Sequence, residues 1–304
     1  MKSLKIILAF ICFFVSINYV GAWGFWAHRM INKKAVATLP KGMSGFYGYY
    51  IDYVTQHSVD PDKKRYCDMY EGPHHFIDLD HYCRYPCSSF PHRWKDAVAK
   101  YSLDTLNKYG TLPWHISLVY YSLVRAFKEQ DANKILQLSS DLGHYIADSY
   151  VPLHTVTNFD GQNTEQLGIH AFWETDIPEL FGLTYNYHTA KAKYIENEND
   201  FVWKGVLSSA DAADSVLYFE KELRNSFPKD KLYCVEPGSK FLYLKYSEEF
   251  AKAYSEKLND MVEKRMRLSI YVVGCLWMSA WVDAGQPDLN RLIGKAVLDT
   301  EDGN

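Results

Sequence analysis

Apolar residues recur along most of the chain at intervals of three and four, the repeat that lines one face of an α-helix. Helices are expected over 28–39, stopped by Pro40, and over 91–108, where Trp94, Val98, Tyr101 and Leu106 fall in register. Others are expected over 113–130, over 132–150 with Pro152 ending or kinking it, and over 202–225, stopped near Pro228. A long one is expected over 246–283, polar at first and nearly all apolar from Tyr271 to Trp281. Its apolar run is only about fifteen residues and follows Lys264, Arg265 and Arg267, so it reads as a buried central helix, not a membrane span of ~20 residues. Few segments alternate with period two, no repeat stands out, and no Pro/Gly/Ser linker divides the chain. The expectation is a mainly α, single-domain, multi-helix fold.

The start of the chain breaks the pattern. Residues 1–22, MKSLKIILAFICFFVSINYVGA, place Lys2 and Lys5 before an apolar stretch over 6–15, then Gly21 and Ala22. This is the order of a secretory signal peptide, and Val20 and Ala22 fit the small-residue cleavage rule. Cleavage after Ala22 is expected to leave Trp23 as the mature N-terminus of a secreted or periplasmic protein; an uncleaved anchor is the alternative. The remaining 23–304 reads as one domain with a polar tail from about 286. Losing 1–22 removes two lysines and no acid, so the formal charge moves from −4 to −6. A mildly acidic surface has no global draw towards polyanions, and positive charge must come from a local site.

Five cysteines follow the leader. An oxidising compartment permits disulfides. Cys83 and Cys87 sit in the turn-like YCRYPCSS and can pair, Cys67 and Cys234 are a second candidate pair, and Cys275 reads as a buried free thiol. No CxxC occurs, so a cysteine zinc site is not expected.

The chemistry concentrates in HYIADSYVPLH. His144 and Asp148 are four apart, one above the other on a helix and able to bind one ion together. Pro152 then turns the chain, so that His154 can approach from another angle. In HAFWE, His170 and Glu174 repeat the spacing. Imidazole and carboxylate are zinc ligands, and carboxylates can bridge two ions. A single helical histidine is usually structural; five ligand-type residues in register are not explained that way. Upstream, GPHHFIDLDHY offers His75 and Asp78, with His74, Asp80 and His81 as competing surface groups. HSVDPDKKRY offers Asp60 and Asp62, where an Asp-Pro turn is the plain reading. WGFWAHR offers His28 inside the first helix.

Together these residues resemble the superfamily that joins bacterial zinc-dependent phospholipases C to the single-strand-specific zinc nucleases of fungi and plants. The resemblance runs over nearly the whole mature chain: Trp23 exposed by signal cleavage, His28 five residues later, an Asp before HFID, then HxxxDxxxxxH, then HxxWE. It implies three zinc ions in one cleft. Asp60, His75, His144 and Asp148 would hold the first, and His154, His170 and Glu174 the second. The amine and carbonyl of Trp23 would hold the third with His28 and a shared Asp148. It further implies hydrolysis of a phosphoric ester by water made acidic at the metals, with Asp60 orienting or deprotonating that water and Asp148 bridging two ions. No nucleophile motif such as GxSxG is present.

The substrate branch is divided. Glu174 and the short segment between His154 and His170 match the phospholipases. HxxWET and Lys63 match the nucleases, as do Phe76 and Asp78, which there stack on and hydrogen-bond to a base; Phe76 reads equally well as core packing. The reading leans to the phospholipase type, with a single-strand-specific endonuclease or 3′-nucleotidase as the alternative and a non-catalytic secreted zinc-binding helical protein as a third. The substrate is then a phospholipid head group or single-stranded nucleic acid. No stable protein partner is implied, and a monomer is expected.

Overall fold

The computed structural model describes residues 24–237 and 242–297. The expected signal peptide, its cleavage point and Trp23 lie outside them. The described chain is helical, with one small hairpin, as the periodicity implies. Its helices are α1 (Phe25–Val36), α2 (Lys41–Tyr49), α3 (Ile51–Gln56), α4 (Asp60–Lys64), α5 (Leu79–Tyr82), α6 (Trp94–Tyr101) and α7 (Leu103–Tyr109). Then come α8 (Leu112–Glu129), α9 (Ala132–Ser149), α10 (Ile169–Ala171), α11 (Ile177–Phe181), α12 (Glu198–Ser226), α13 (Glu248–Lys257) and α14 (Met261–Asp283). Strands β1 (Tyr233–Pro237) and β2 (Leu242–Tyr246) pair antiparallel, with Tyr233 opposite Tyr246.

Helix α14 is buried on nearly every side and packs against α1, α8 and α9. Trp277 is fully buried in it and donates its indole N–H to the carbonyl of Ser139 on α9. No helix among the described residues is long and apolar enough to cross a membrane.

Two expected helices are broken. The 91–108 run divides at Ser102, which takes φ 66° and then caps α7 by accepting from the Thr105 N–H. The 246–283 run divides at Asn259 and Asp260, both at φ 53°, a left-handed corner that Asn and Asp tolerate. Cys83 and Cys87 form a disulfide, whereas Cys67 and Cys234 are free and exposed, and Cys275 is a buried thiol. The second candidate disulfide is therefore not formed.

Helices α1 and α9 meet where the Asn32 side chain lies directly on Gly143. At Gly143 an added Cβ would stand 2.0 Å from Asn32 Oδ1. The Asn32 amide donates to the carbonyls of Val54 and Ser140, both at 3.1 Å, joining α1, α3 and α9. This junction brings His28, one turn before Asn32, onto His144, one residue after Gly143. The two rings stack 3.9 Å apart.

Candidate metal centre

Helix α9 supplies the floor of the site. The four-residue spacing of His144 and Asp148 puts both on the face turned to α1 and to the 57–64 segment. The Asp148 carboxylate has two directions of contact. Its Oδ2 lies 2.9 Å from His75 Nδ1 and 3.3 Å from His144 Nε2. Its Oδ1 lies 3.4 Å from His28 Nε2 and 3.9 Å from His154 Nδ1. One carboxylate thus stands between two groups of histidines. Pro152 opens a short 3-10 turn that delivers His154, whose carbonyl accepts from the Ile77 N–H and ties the turn to the segment after His75. His154 Nε2 and His170 Nε2 converge on Glu174 Oε2, at 3.3 and 3.1 Å. Glu174 sits in a π-helical turn, Phe172–Asp176, between α10 and α11. Gly24 donates its N–H to the Glu174 carbonyl at 3.1 Å, so the first described residue lies against this turn.

The sequence reading put Asp60 beside His75; the structure puts Asp62 there. Val54, Ser58 and Asp62 follow one another at four-residue spacing along α3, the His57–Val59 turn and α4, and all three are buried towards α9. Asp60 points off that face. Its carboxylate, 29% exposed, is 2.5 Å from His57 Nδ1 and accepts from Lys63 Nζ at 3.0 Å. Burial would raise its pKa, but His57 and Lys63 outweigh that and hold it below the ordinary value. Lys63 is thereby committed to Asp60. Asp62 Oδ1 is 3.8 Å from His75 Nδ1 and 3.9 Å from His144 Nε2.

Three groups of ligand atoms, each within 4.8 Å of one another, result: His28, His144 and Asp148; Asp62, His75 and His144; His154, His170 and Glu174. Seven of the residues expected from sequence are brought together, Asp60 is replaced by Asp62, and Trp23 is outside the described residues. Phe76 and Asp78 lie in the extended segment that follows the Gly72–His75 turn. Phe76 is half-buried against Gly110, whose φ of 90° and missing Cβ let the Phe76 carbonyl approach. Asp78 is half-buried, and burial together with Asp80 pushes its carboxyl up to about 7. Asp80, read from sequence as a competing surface group, accepts from the N–H and hydroxyl of Thr157.

The donor set fits a cation. Five imidazoles and three carboxylates are buried together, and neither oxygen of Asp62 has a hydrogen bond. Arg65 approaches Asp62 Oδ1 at 3.7 Å, an ion pair beyond hydrogen-bond reach, so both oxygens keep lone pairs for a cation. Burial raises the Glu174 carboxyl to about 7 and lowers His170 to about 4. Burial also opposes charge on His144, but Asp148 and Asp62 override it and push the imidazole up to about 9. His144 is oriented from behind: its Nδ1–H donates to the Ser58 carbonyl at 2.8 Å, which leaves Nε2 facing the cluster. Nitrogen and oxygen donors without thiolate, in groups of three, are of a kind that zinc accepts.

Sequence reasoning offered both Asp60 and Asp62 but gave the ligand's place to Asp60, and it missed Glu71 and Tyr145. Glu71 is buried and lies 3.4 Å from His75 Nε2 through Oε1, the oxygen that also accepts the Tyr145 hydroxyl. Burial raises the Glu71 pKa, but bonds from His74, His75 and Tyr145 outweigh it and hold the carboxyl well below its ordinary range. The signal for Asp62 was its place in the Val54–Ser58 stripe, and for Tyr145 its place beside His144 on the same helix.

No family model and no curated protein sequence matches the chain. Among solved structures it is similar to the alpha-toxin of Clostridium perfringens from an avian strain, at 14% sequence identity and a TM-score of 0.50. The match covers 84% of this chain, which spans 64% of the length of the toxin. The two proteins share a helical fold.

Proposed function

We propose that the chain is a zinc-dependent hydrolase of phosphoric esters, and that Asp62, His75, His144, Asp148, His154, His170, Glu174 and His28 hold its ions. The single observation that carries this is Asp148, a fully buried carboxylate whose two oxygens face two different sets of imidazoles. Ions held there supply Lewis acidity, lowering the pKa of a water and balancing charge on the phosphoryl oxygens. The protein's own groups do the rest. Asp148 keeps the two sets of donors in fixed relation. Asp62, with both oxygens free of hydrogen bonds, takes the role that the sequence assigned to Asp60, orienting the attacking water and accepting its proton. Water adds to phosphorus, the bond to the leaving oxygen breaks, and the proton that Asp62 took from the water passes, directly or through solvent, to that oxygen. Cleavage after Ala22 would place a free amine next to Gly24, whose N–H already meets Glu174.

For substrate we favour the phospholipase C type, on Glu174 and the short 154–170 segment. The nuclease reading has its own support in Phe76 and Asp78, a half-buried ring followed by a carboxyl able to keep its proton up to about pH 7. The test is a parallel assay of the metal-loaded protein on phosphatidylcholine vesicles, single-stranded DNA and RNA. Release of phosphocholine alone supports the favoured branch, and cleavage of nucleic acid alone the second. No hydrolysis of any of them, with the sites filled, leaves the non-catalytic zinc-binding protein.

A further inference from the structure

We propose that Glu71 is a positioning residue that fixes which nitrogen of His75 faces the metal cluster. The inference rests on the metal reading above and goes beyond it, because Glu71 is no part of any group of ligands. A neutral imidazole presents a lone pair from one nitrogen only when the proton is on the other. The nitrogen of His75 that faces the cluster is Nδ1, 2.9 Å from Asp148 Oδ2 and 3.1 Å from His144 Nε2. The proton must then be on Nε2, and the carboxylate facing it is Glu71 Oε1 at 3.4 Å, an ion-pair contact that a small turn of the ring closes to a hydrogen bond.

Glu71 is itself held. Tyr145 donates its hydroxyl to the same oxygen, and Tyr145 follows His144 on α9, so one helix carries both a ligand and the brace for another. The other carboxylate oxygen lies 3.7 Å from His74 Nδ1, and the His74 ring stacks on His115 at 3.7 Å and 8°. Glu71 and His75 are joined by the rigid Gly72–His75 turn with its proline. His144 has a neutral carbonyl behind it; His75 has a carboxylate, which raises ligand basicity further.

The experiment uses the full mature chain loaded with zinc, with Glu71→Gln, Tyr145→Phe and His75→Ala variants. Zinc affinity is read by competition with a chelator, and the His75 ring N–H by nitrogen-edited NMR, assigned by its loss in His75→Ala. Glu71→Gln is expected to weaken one zinc by about 10- to 100-fold and to shift or erase the Nε2–H signal. Tyr145→Phe is expected to do the same by less, and it keeps the question answerable if Glu71→Gln does not fold. Wild-type affinity for every zinc and an unchanged Nε2–H signal in whichever of these variants fold would overturn the proposal. If His75→Ala also loses no zinc, the metal reading itself fails. If His75→Ala loses one and the other two lose none, only the role of Glu71 fails.

Discussion

Gly143→Ala puts two opposite effects in competition. In a helix, alanine is favoured over glycine by about 1 kcal/mol. At this position the new methyl carbon would stand 2.0 Å from Asn32 Oδ1 and 2.7 Å from its Cγ. A flexible side chain would swing away, but the Asn32 amide is fully buried and bonded to the carbonyls of Val54 and Ser140. Moving it forfeits two buried hydrogen bonds, about 1 kcal/mol each. Pushing the helices apart instead costs about 1–3 kcal/mol of overpacking. Either route costs more than the alanine gains, and the net loss is expected at about 1–2 kcal/mol. Because His28 lies one turn from Asn32, the same displacement draws its ring away from Asp148. Urea unfolding of chelator-treated protein measures the first effect, and zinc content of the untreated protein the second. A variant as stable as wild type or more so, with full zinc, would refute the reasoning, for it would mean that the α1–α9 contact tolerates a methyl group.

Asp62→Asn is expected to lose a zinc and to cut turnover on the order of a hundred-fold or more. Asp60→Asn should keep all its zinc; the reverse pattern in metal analysis would reinstate the sequence assignment. Chelator-treated protein is expected to keep a level stability from about pH 4.5 to 6.5 and to lose it above. His144, raised to about 9, contributes stability that is present below 6.5 and lost as pH rises through 9. Glu174, raised to about 7, loses stability on the same side, from 4.5 upward. His170, lowered to about 4, withdraws stability as pH falls from 6.5 to 4. Melting temperatures that rise from pH 6.5 to 9 would contradict these assignments. One extra residue before Trp23 should lower zinc content by one ion; unchanged content and rate would remove the amine from the ligand set.

The parts of the site legible in sequence were those where chemistry and periodicity coincide in one window. His144 and Asp148 lie on one helix, so their spacing alone places them on one face, and His170 and Glu174 repeat it across a continuous turn. Asp60 and Asp62 defeated the same reasoning because the Asp-Pro-Asp stretch reads as a turn. Only the buried stripe through Val54 and Ser58 tells which carboxylate points inward. Glu71 and Tyr145 come from separate segments, and their contact is a tertiary fact. Ser102, Asn259 and Asp260 broke helices that apolar spacing had joined, since a single left-handed residue leaves the pattern on both sides intact. The hairpin at Tyr233 and Tyr246 was missed because its strands are short and expose Val235 and Leu244.

The central claim is that Asp148 ties adjoining cation sites into one centre. Elemental analysis of the purified protein beginning at Trp23 tests it most directly. Three zinc ions per chain are expected, with Asp148→Asn losing more than one of them together. Fewer than two ions in the unmutated chain, or the loss of none in the variant, would contradict it.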